Sequence, residues 1–150
     1  MPMHAPVAHA VAVAPIERAI VRQINVVRRA DHLAPVRLSP DLSKVARGHN
    51  RDMLSHQLMT HDAGDGTSFA ARMTRRLADR YRLVGETIYW GALKWNPTPD
   101  AIVRAWMGSP THRAQLLDGR YRWVGVATTT GDYLGTPTLT VTADFGVRRR

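Results

Sequence analysis

One histidine of this chain lies where a neutral imidazole is favoured, at the start of a predicted helix. Ser109 is a good N-cap, and Pro110 follows at the first helical position, where its missing N–H costs nothing. His112 then falls on the first helical turn, where the positive end of the helix dipole disfavours the imidazolium form. A neutral imidazole suits a metal ligand or a hydrogen-bonding group. The alternative is an ordinary surface histidine on a first turn.

The two glutamates of the chain are predicted to differ in burial. Glu86 lies within residues 83–90, an apolar segment of β-branched and aromatic residues that predicts a strand. Because an unpartnered buried carboxylate is costly, we expect Glu86 to be bonded to a histidine or to backbone N–H groups. Glu17 falls on the exposed side of the first predicted helix, so we expect its replacement by alanine to change stability little.

Apolar periodicity and cap residues predict the elements that position these side chains. In order, they are three helices, a strand, two helices and two strands, over residues 16–27, 40–53, 68–81, 83–90, 101–107, 110–117, 122–130 and 137–145. This order fits an α+β protein, a three-layer α/β/α sandwich with a small antiparallel sheet between helices. The last two strands are expected to form a hairpin.

His49 lies on the apolar stripe of the second helix and is expected to be a core histidine. Met53, Phe69 and Trp106 are also expected core residues.

Several short motifs occur along the chain in a fixed order. They are Ala46-x-x-His49-x-x-Asp52-Met53, Asp65-Gly66-Thr67-Ser68-Phe69-x-x-Arg72, Gly85-Glu86-Thr87-Ile88, Ser109-Pro110-Thr111-His112-Arg113, and the pair Val124-Gly125-Val126 and Asp144-Phe145-Gly146. Together they resemble the signature segments of the CAP superfamily, or SCP-like domains, in its bacterial, cysteine-free type. The resemblance covers about residues 16–146. The chain departs from the family pattern at Thr87, Thr111 and Gln115, where the family has Asn, Gly and Asn.

The resemblance implies a cleft built from two histidines and two acids. Matching of the motifs assigns the histidines to His61 and His112 and the first acid to Glu86, while Ser109 stands where the second acid belongs. These four residues are the implied ligand-binding residues. Two histidines and one carboxylate suit zinc with an open position for water, so His61, His112 and Glu86 are the candidate metal ligands. Glu86 is either the third ligand or the acceptor that orients one imidazole, and no catalytic residue is assigned.

Two functions follow from this resemblance. The first is a secreted or cell-envelope domain whose His/Glu cleft binds a ligand or a divalent metal without catalysis. The second is a hydrolase directed at peptide or cell-wall material, with Ser109 as nucleophile beside a histidine. The Gly-x-Ser-x-Gly segment of one large hydrolase class is absent from the sequence. Measurement of turnover separates the two.

The composition of the chain limits the classes of partner that it can bind. The net charge of +9 comes almost entirely from arginine, since Lys44 and Lys94 are the only lysines. Such a charge favours an anionic partner, such as a lipid or an anionic cell-wall polymer, although it also serves solubility. No recognised nucleic-acid module accompanies it, no apolar run reaches the length of a membrane span, and no cysteine is available for a disulfide. We expect a monomer.

The chain divides into three parts by composition. Residues 1–15, rich in alanine, valine and proline, predict a flexible leader, residues 16–146 the CAP-like domain and residues 147–150 a basic tail. A signal peptide is not evident, because no lysine or arginine precedes Arg18 and prolines interrupt the apolar run. An extracellular or cell-envelope location is therefore expected from the resemblance alone.

Overall fold

The computed structural model describes residues 13–150, whose helices and strands form three layers. The elements are α1 (Pro15–Ala30), β1 (Arg37–Leu38), α2 (Pro40–His56), α3 (Phe69–Leu77), β2 (Tyr81–Ala92), a 3-10 turn (Leu93–Trp95), α4 (Pro99–Met107), α5 (Pro110–Leu116), β3 (Trp123–Tyr133) and β4 (Thr136–Arg148). The α+β class is confirmed, and the eight predicted elements occur in the predicted order; β1 and the 3-10 turn were not predicted. The expected leader lies outside the described residues except at residues 13–15, and α1 already begins at Pro15.

The sheet has four strands in the order β1-β3-β4-β2. The central strand β4 runs antiparallel to β2 and β3, and the two-residue β1 pairs in parallel with β3. Leu134 and Gly135 join β3 to β4 with positive φ angles of 51° and 82°, as the tight turn of a twisted hairpin requires. β4 continues to Arg148, so part of the expected tail belongs to the sheet, and β2 begins at Tyr81 because that residue pairs with Arg148.

Helices cover both faces of the sheet. α2 packs on one face, with α3 against it, and α1, α4 and α5 pack on the other. Trp106 and Met53 are buried, as predicted, and the indole N–H of Trp106 donates to the carbonyl of Ile88 at 3.0 Å. Phe69 is only partly buried, because it lies on the first turn of α3, where it contacts the ring of His61 and the guanidinium of Arg72. No helix among residues 13–150 is both long and apolar enough to cross a bilayer.

The prediction that Glu17 is exposed is wrong. Its side chain is 1% exposed, and Oε1 accepts hydrogen bonds from Arg47 Nη2 at 2.8 Å and from the backbone N–H of Thr128 at 3.0 Å. Oε2 accepts from the backbone N–H of Ala14 at 3.1 Å, at the start of α1. The first turn of α1 packs on β3, so a carboxylate that helical periodicity places outside lies between helix and strand.

A second buried charge, Arg28, fixes the end of α5. Its guanidinium is fully buried and donates to four backbone carbonyls: Ala34 at 2.9 Å, Leu116 at 2.8 Å, Asp118 at 3.0 Å and Tyr121 at 3.2 Å. Burial and the nearby Arg122 lower the pKa of Arg28. Arg28 therefore links α1 to the connector that leads from α5 into β3.

Candidate functional site

Glu86 is the centre of the site, on the edge strand β2. It is 5% exposed, and both carboxylate oxygens have partners. The Nδ1–H of His61 donates to Oε1 at 2.9 Å, and Arg72 Nη2 donates to Oε2 at 2.7 Å. The prediction that Glu86 is buried and bonded to a histidine is confirmed.

Arg72, on α3, holds both the carboxylate and the loop that carries His61. Besides Glu86, its Nη2 donates to the backbone carbonyl of His61 at 2.9 Å. Asp62 accepts from the backbone N–H of Phe69 at 2.8 Å, which joins the same loop to the start of α3. The sequence places Arg72 in a basic run on the outer side of its helix, and its role in the site was missed. The sequence feature that could have identified Arg72 as a site residue is its spacing from Phe69 in the family motif.

Asp144 on β4 is a further acid of the site; it lies in one of the family motifs of the sequence, but no role in the site was predicted for it. It is fully buried and pairs in register with Glu86. Burial and the negative charge of Glu86 raise the pKa of Asp144 well above its ordinary value. Both carboxyl oxygens of Asp144 are buried without a hydrogen-bond partner among the described residues, so the neutral form of this acid is favoured.

The partners of Glu86 keep it ionised. Burial alone would raise the pKa of Glu86, but the hydrogen bond from His61 and the charge of Arg72 outweigh burial, so the pKa is lowered. Of the two acids, Glu86 is therefore the one that carries the negative charge. That charge is shared with the guanidinium of Arg72 and with the imidazole of His61.

His49, on α2, lies beside this acid pair. It is 2% exposed, and its Nε2 donates to the carbonyl of Thr60 at 2.7 Å and lies 3.7 Å from Oε1 of Glu86. Burial lowers the pKa of His49 more than Glu86 raises it, so the ring is neutral. The prediction of a buried core histidine is confirmed, and the same residue also borders the site.

His112 approaches the site from the other side of the sheet. Its helix α5 packs against Gly85 through Gln115, on the face opposite the Glu86 side chain. No hydrogen bond joins His112 to Glu86 in the described part of the chain. Burial and the charge of His61 lower the pKa of His112, so its ring is neutral and lies near enough to sense His61.

Ser109 occupies the N-cap position of α5 but makes no side-chain cap bond. Its hydroxyl instead bonds the hydroxyl of Thr111 at 3.3 Å. No histidine within residues 13–150 is hydrogen-bonded to Ser109, so the pair of nucleophile and base that a hydrolase requires is not assembled here.

The predicted site residues thus have different relations to one another. His61 and Glu86 are in direct contact, His112 is electrostatically coupled to His61, and Ser109 bonds only its own helix. Arg72 and His61 already bond both oxygens of Glu86, so this carboxylate is in place to orient the imidazole of His61. Over residues 13–150, no group of three or more His, Asp and Glu side chains is arranged to hold a metal ion. The open nitrogen is Nε2 of His61, whose side chain is 47% exposed.

Comparison with known proteins identifies the family. The model of the CAP family, described as the cysteine-rich secretory protein family, matches residues 21–145. The uncharacterized protein YkwD of Bacillus subtilis is 31% identical over 111 residues, which are 73% of this chain and 41% of YkwD. The chain therefore spans less than half the length of this relative.

Solved structures share the fold. An outer surface protein from Borrelia burgdorferi has a TM-score of 0.71 at 20% identity, over 88% of this chain and 92% of that one. An extracellular SCP-domain protein from Bacillus anthracis has a TM-score of 0.64 at 23% identity, over 90% of this chain and 44% of that one. The CAP family model matches residues 21–145, which are most of the domain. The chain therefore belongs to the CAP family of SCP-like domains.

Proposed function

We propose that this CAP domain is a non-enzymatic binding domain of the cell envelope or the extracellular space. In this proposal its cleft binds a divalent transition metal, zinc in the first instance, through the imidazoles of His61 and His112. Glu86 acts behind His61 as the acceptor that orients the ring. Ser109 lies at the start of the helix that carries His112 and completes the rim of the ligand-binding cleft.

The observation that carries this proposal is the bond of 2.9 Å between His61 Nδ1 and Glu86 Oε1. A carboxylate that accepts from one ring nitrogen fixes the tautomer and leaves the lone pair of the other nitrogen free, as in many metal-ligating histidines. In His61 the free nitrogen is Nε2, on a side chain that is half exposed. Arg72 holds Glu86 in place through both carboxylate oxygens, so the orientation of His61 does not depend on a bound ligand.

His112 is suited to be the second ligand. Burial lowers the pKa of this histidine, which keeps its lone pair available at a lower pH than in an ordinary histidine. The charge of His61 lowers the same pKa further, so a positive charge on both rings at once is disfavoured. A dication bound by both rings would replace competing protons, so binding should weaken as pH falls through the imidazole range.

The hydrolase alternative has less support. Its nucleophile, Ser109, bonds Thr111 and no histidine in the part of the chain that the structure describes. The charge of Glu86 is already shared by Arg72 and His61, which leaves it a weak candidate for a general base. The extracellular and outer-surface proteins of this fold support the location, and the net charge of +9 supports an anionic lipid or cell-wall polymer as the larger partner.

Zinc titration by calorimetry tests the proposal. We expect His61→Ala and His112→Ala each to remove most of the zinc binding seen with the parent chain. Glu86→Gln should weaken binding by about 10–100-fold, the usual effect of removing the acceptor behind a ligating histidine. His56→Ala is the matched control, because His56 is an equally exposed histidine whose ring bonds within α2.

Two outcomes would overturn this assignment. The first is zinc binding by His61→Ala and His112→Ala that equals binding by the parent. The second is loss of binding in His49→Ala alone, in protein that circular dichroism shows to be folded. A broad hydrolase screen in which the parent turns over substrate and Glu86→Gln does not would instead favour the enzyme.

A further inference from the structure

A groove lies between α2 and α3, next to the histidine cleft. Its volume is about 480 Å³, within the usual range of small-molecule sites. Both helices and the loop between them line it, and its polar walls are rich in charge. Arg72 lies between the two sites, since its Nη2 bonds Glu86 while its side chain also lines the groove.

The charges of the groove are unevenly paired. All three lining carboxylates have protein partners: Asp41 pairs with Arg80 at 2.8 Å, Asp52 accepts from the backbone of Gly64, and Asp65 accepts from that of Thr67. Three lining cations have no such partner. Within residues 13–150, no ion pair or hydrogen bond engages the charged ends of Lys44, Arg75 or Arg76. Arg80 is paired with Asp41 and Arg72 with Glu86, so three unpaired cations face the two carboxylates of Asp52 and Asp65, and the net charge of the groove favours an anion.

A glycine in the wall of the groove is also consistent with a binding site. Gly48 lies in the interior of α2, where glycine costs about 0.5–1 kcal/mol relative to alanine. A Cβ added there would meet nothing within 4 Å, so no packing contact of the described chain requires glycine. Its effect is to keep one wall of the groove open to close approach.

Two side chains at the groove also keep buried nitrogens without partners. Arg72 Nε and Nη1 are buried donors without an acceptor in the described chain, and His49 Nδ1 is a buried nitrogen without a partner there. Because the Nε2–H of His49 donates to Thr60, its Nδ1 carries a lone pair that needs an O–H or N–H donor. Unpaired buried polar atoms are costly, so these nitrogens show unused hydrogen-bonding capacity just behind the wall of the groove.

We propose that the groove binds a phosphate monoester: a small hydroxylated molecule whose phosphate lies against Lys44, Arg75 and Arg76, with its hydroxyl end towards His49. A dianion matches three unpaired cations better than a single carboxylate does. The same phosphate group occurs on free metabolites and on monoester lipid headgroups. The groove recognises the group in either source.

Calorimetry with glycerol 1-phosphate, and sedimentation with phosphatidylcholine vesicles that contain phosphatidic acid, test the two sources. The parent should bind at least one of them saturably. The double variant Arg75→Gln/Arg76→Gln should lose about tenfold or more in affinity for that probe. The matched control is Arg22→Gln/Arg29→Gln, which removes the same charge from exposed positions of α1 and should stay within about twofold, because distant charges are screened.

Gly48→Leu supplies a second variant that does not change the charge. Leucine is the better helix former, so the melting temperature should not fall, while its side chain should block the groove and reduce phosphate binding about tenfold or more. Equal losses in the two double variants, or no saturable binding of either probe, would overturn the proposal. So would unchanged binding in Gly48→Leu. Zinc binding should be the same in all these variants, so this inference and the metal proposal fail separately.

Discussion

Replacing Arg28 by methionine should lower the stability of the chain by about 3 kcal/mol. The guanidinium of Arg28 is fully buried and serves four backbone carbonyls. The bonds to Leu116 and Tyr121 are buried, so these two carbonyls would lose their donor and gain no water, at about 1–3 kcal/mol each. The carbonyls of Ala34 and Asp118 are partly exposed and can turn to solvent. The methionine variant no longer bears the cost of burying a charged guanidinium, and this offsets part of the loss from the two carbonyls. The net loss of stability is therefore expected in the lower half of the summed range.

Arg29→Met is the matched control, because Arg29 is the next residue along α1 and is exposed. Its replacement should change stability by no more than about 0.5 kcal/mol. Urea unfolding followed by tryptophan fluorescence measures both variants, and an unchanged m-value shows that the same surface is exposed on unfolding. For a chain of this size the melting temperature of Arg28→Met should fall by about 6–12 °C.

Arg28→Met should also disturb the cleft, since the carbonyl of Leu116 closes the helix that carries His112. Zinc affinity should therefore fall in Arg28→Met and be unchanged in Arg29→Met. If the two variants differ by less than about 1 kcal/mol in stability, the four carbonyl bonds do not have the value assigned to them.

Three further changes test other features of the fold. Glu17→Ala should cost about 1–2 kcal/mol in urea unfolding, because it leaves the partly buried N–H of Thr128 without an acceptor and Arg47 without its partner; a cost near zero would contradict the buried position of Glu17. Gly48→Ala should raise stability by about 0.5–1 kcal/mol, since the new methyl enters open space, and a loss would show hidden crowding. Burial raises the pKa of Asp144 in the folded state, so above the ordinary carboxyl range the folded chain holds a proton that the unfolded chain releases. The contribution of Asp144 to stability therefore falls as pH rises, and Asp144→Asn should remove that part of the slope in urea midpoints measured from about pH 4 to 7; an unchanged slope would mean that Asp144 is ionised.

Local patterns in the sequence were enough for the order of the main helices and strands and for the burial of Glu86. Helix caps, apolar stripes and the β-branched run around Glu86 depend on residues that are close in the sequence. The folded structure keeps the helices and the strand that they predict. The burial of Glu86 followed from one argument, that a carboxylate among strand residues needs a partner. The family motif supplied the partner, His61.

The remaining parts of the site depend on contacts between distant segments. Arg72 looks like one more arginine of an exposed run, and only the packing of α3 against the loop turns its guanidinium towards Glu86. Asp144 becomes an acid of the site because β4 pairs with β2 in a register that no local pattern sets. The prediction that Glu17 is exposed was wrong for the same reason, because its role as an acceptor depends on where β3 lies relative to the first turn of α1.

The position of β4 at the centre of the sheet has a consequence for biosynthesis. β4 is the last strand to be synthesised, yet β2 and β3 are joined in one sheet only through it. A nascent chain that has not reached Thr136 can pair β1 with β3 and no more, while β2 has both edges unpaired and Glu86 has no Asp144 beside it. The sheet and the acid pair therefore form in one late step, after β4 has left the ribosome. A chain truncated before β4 should remain a target for chaperones and proteases rather than a smaller folded domain.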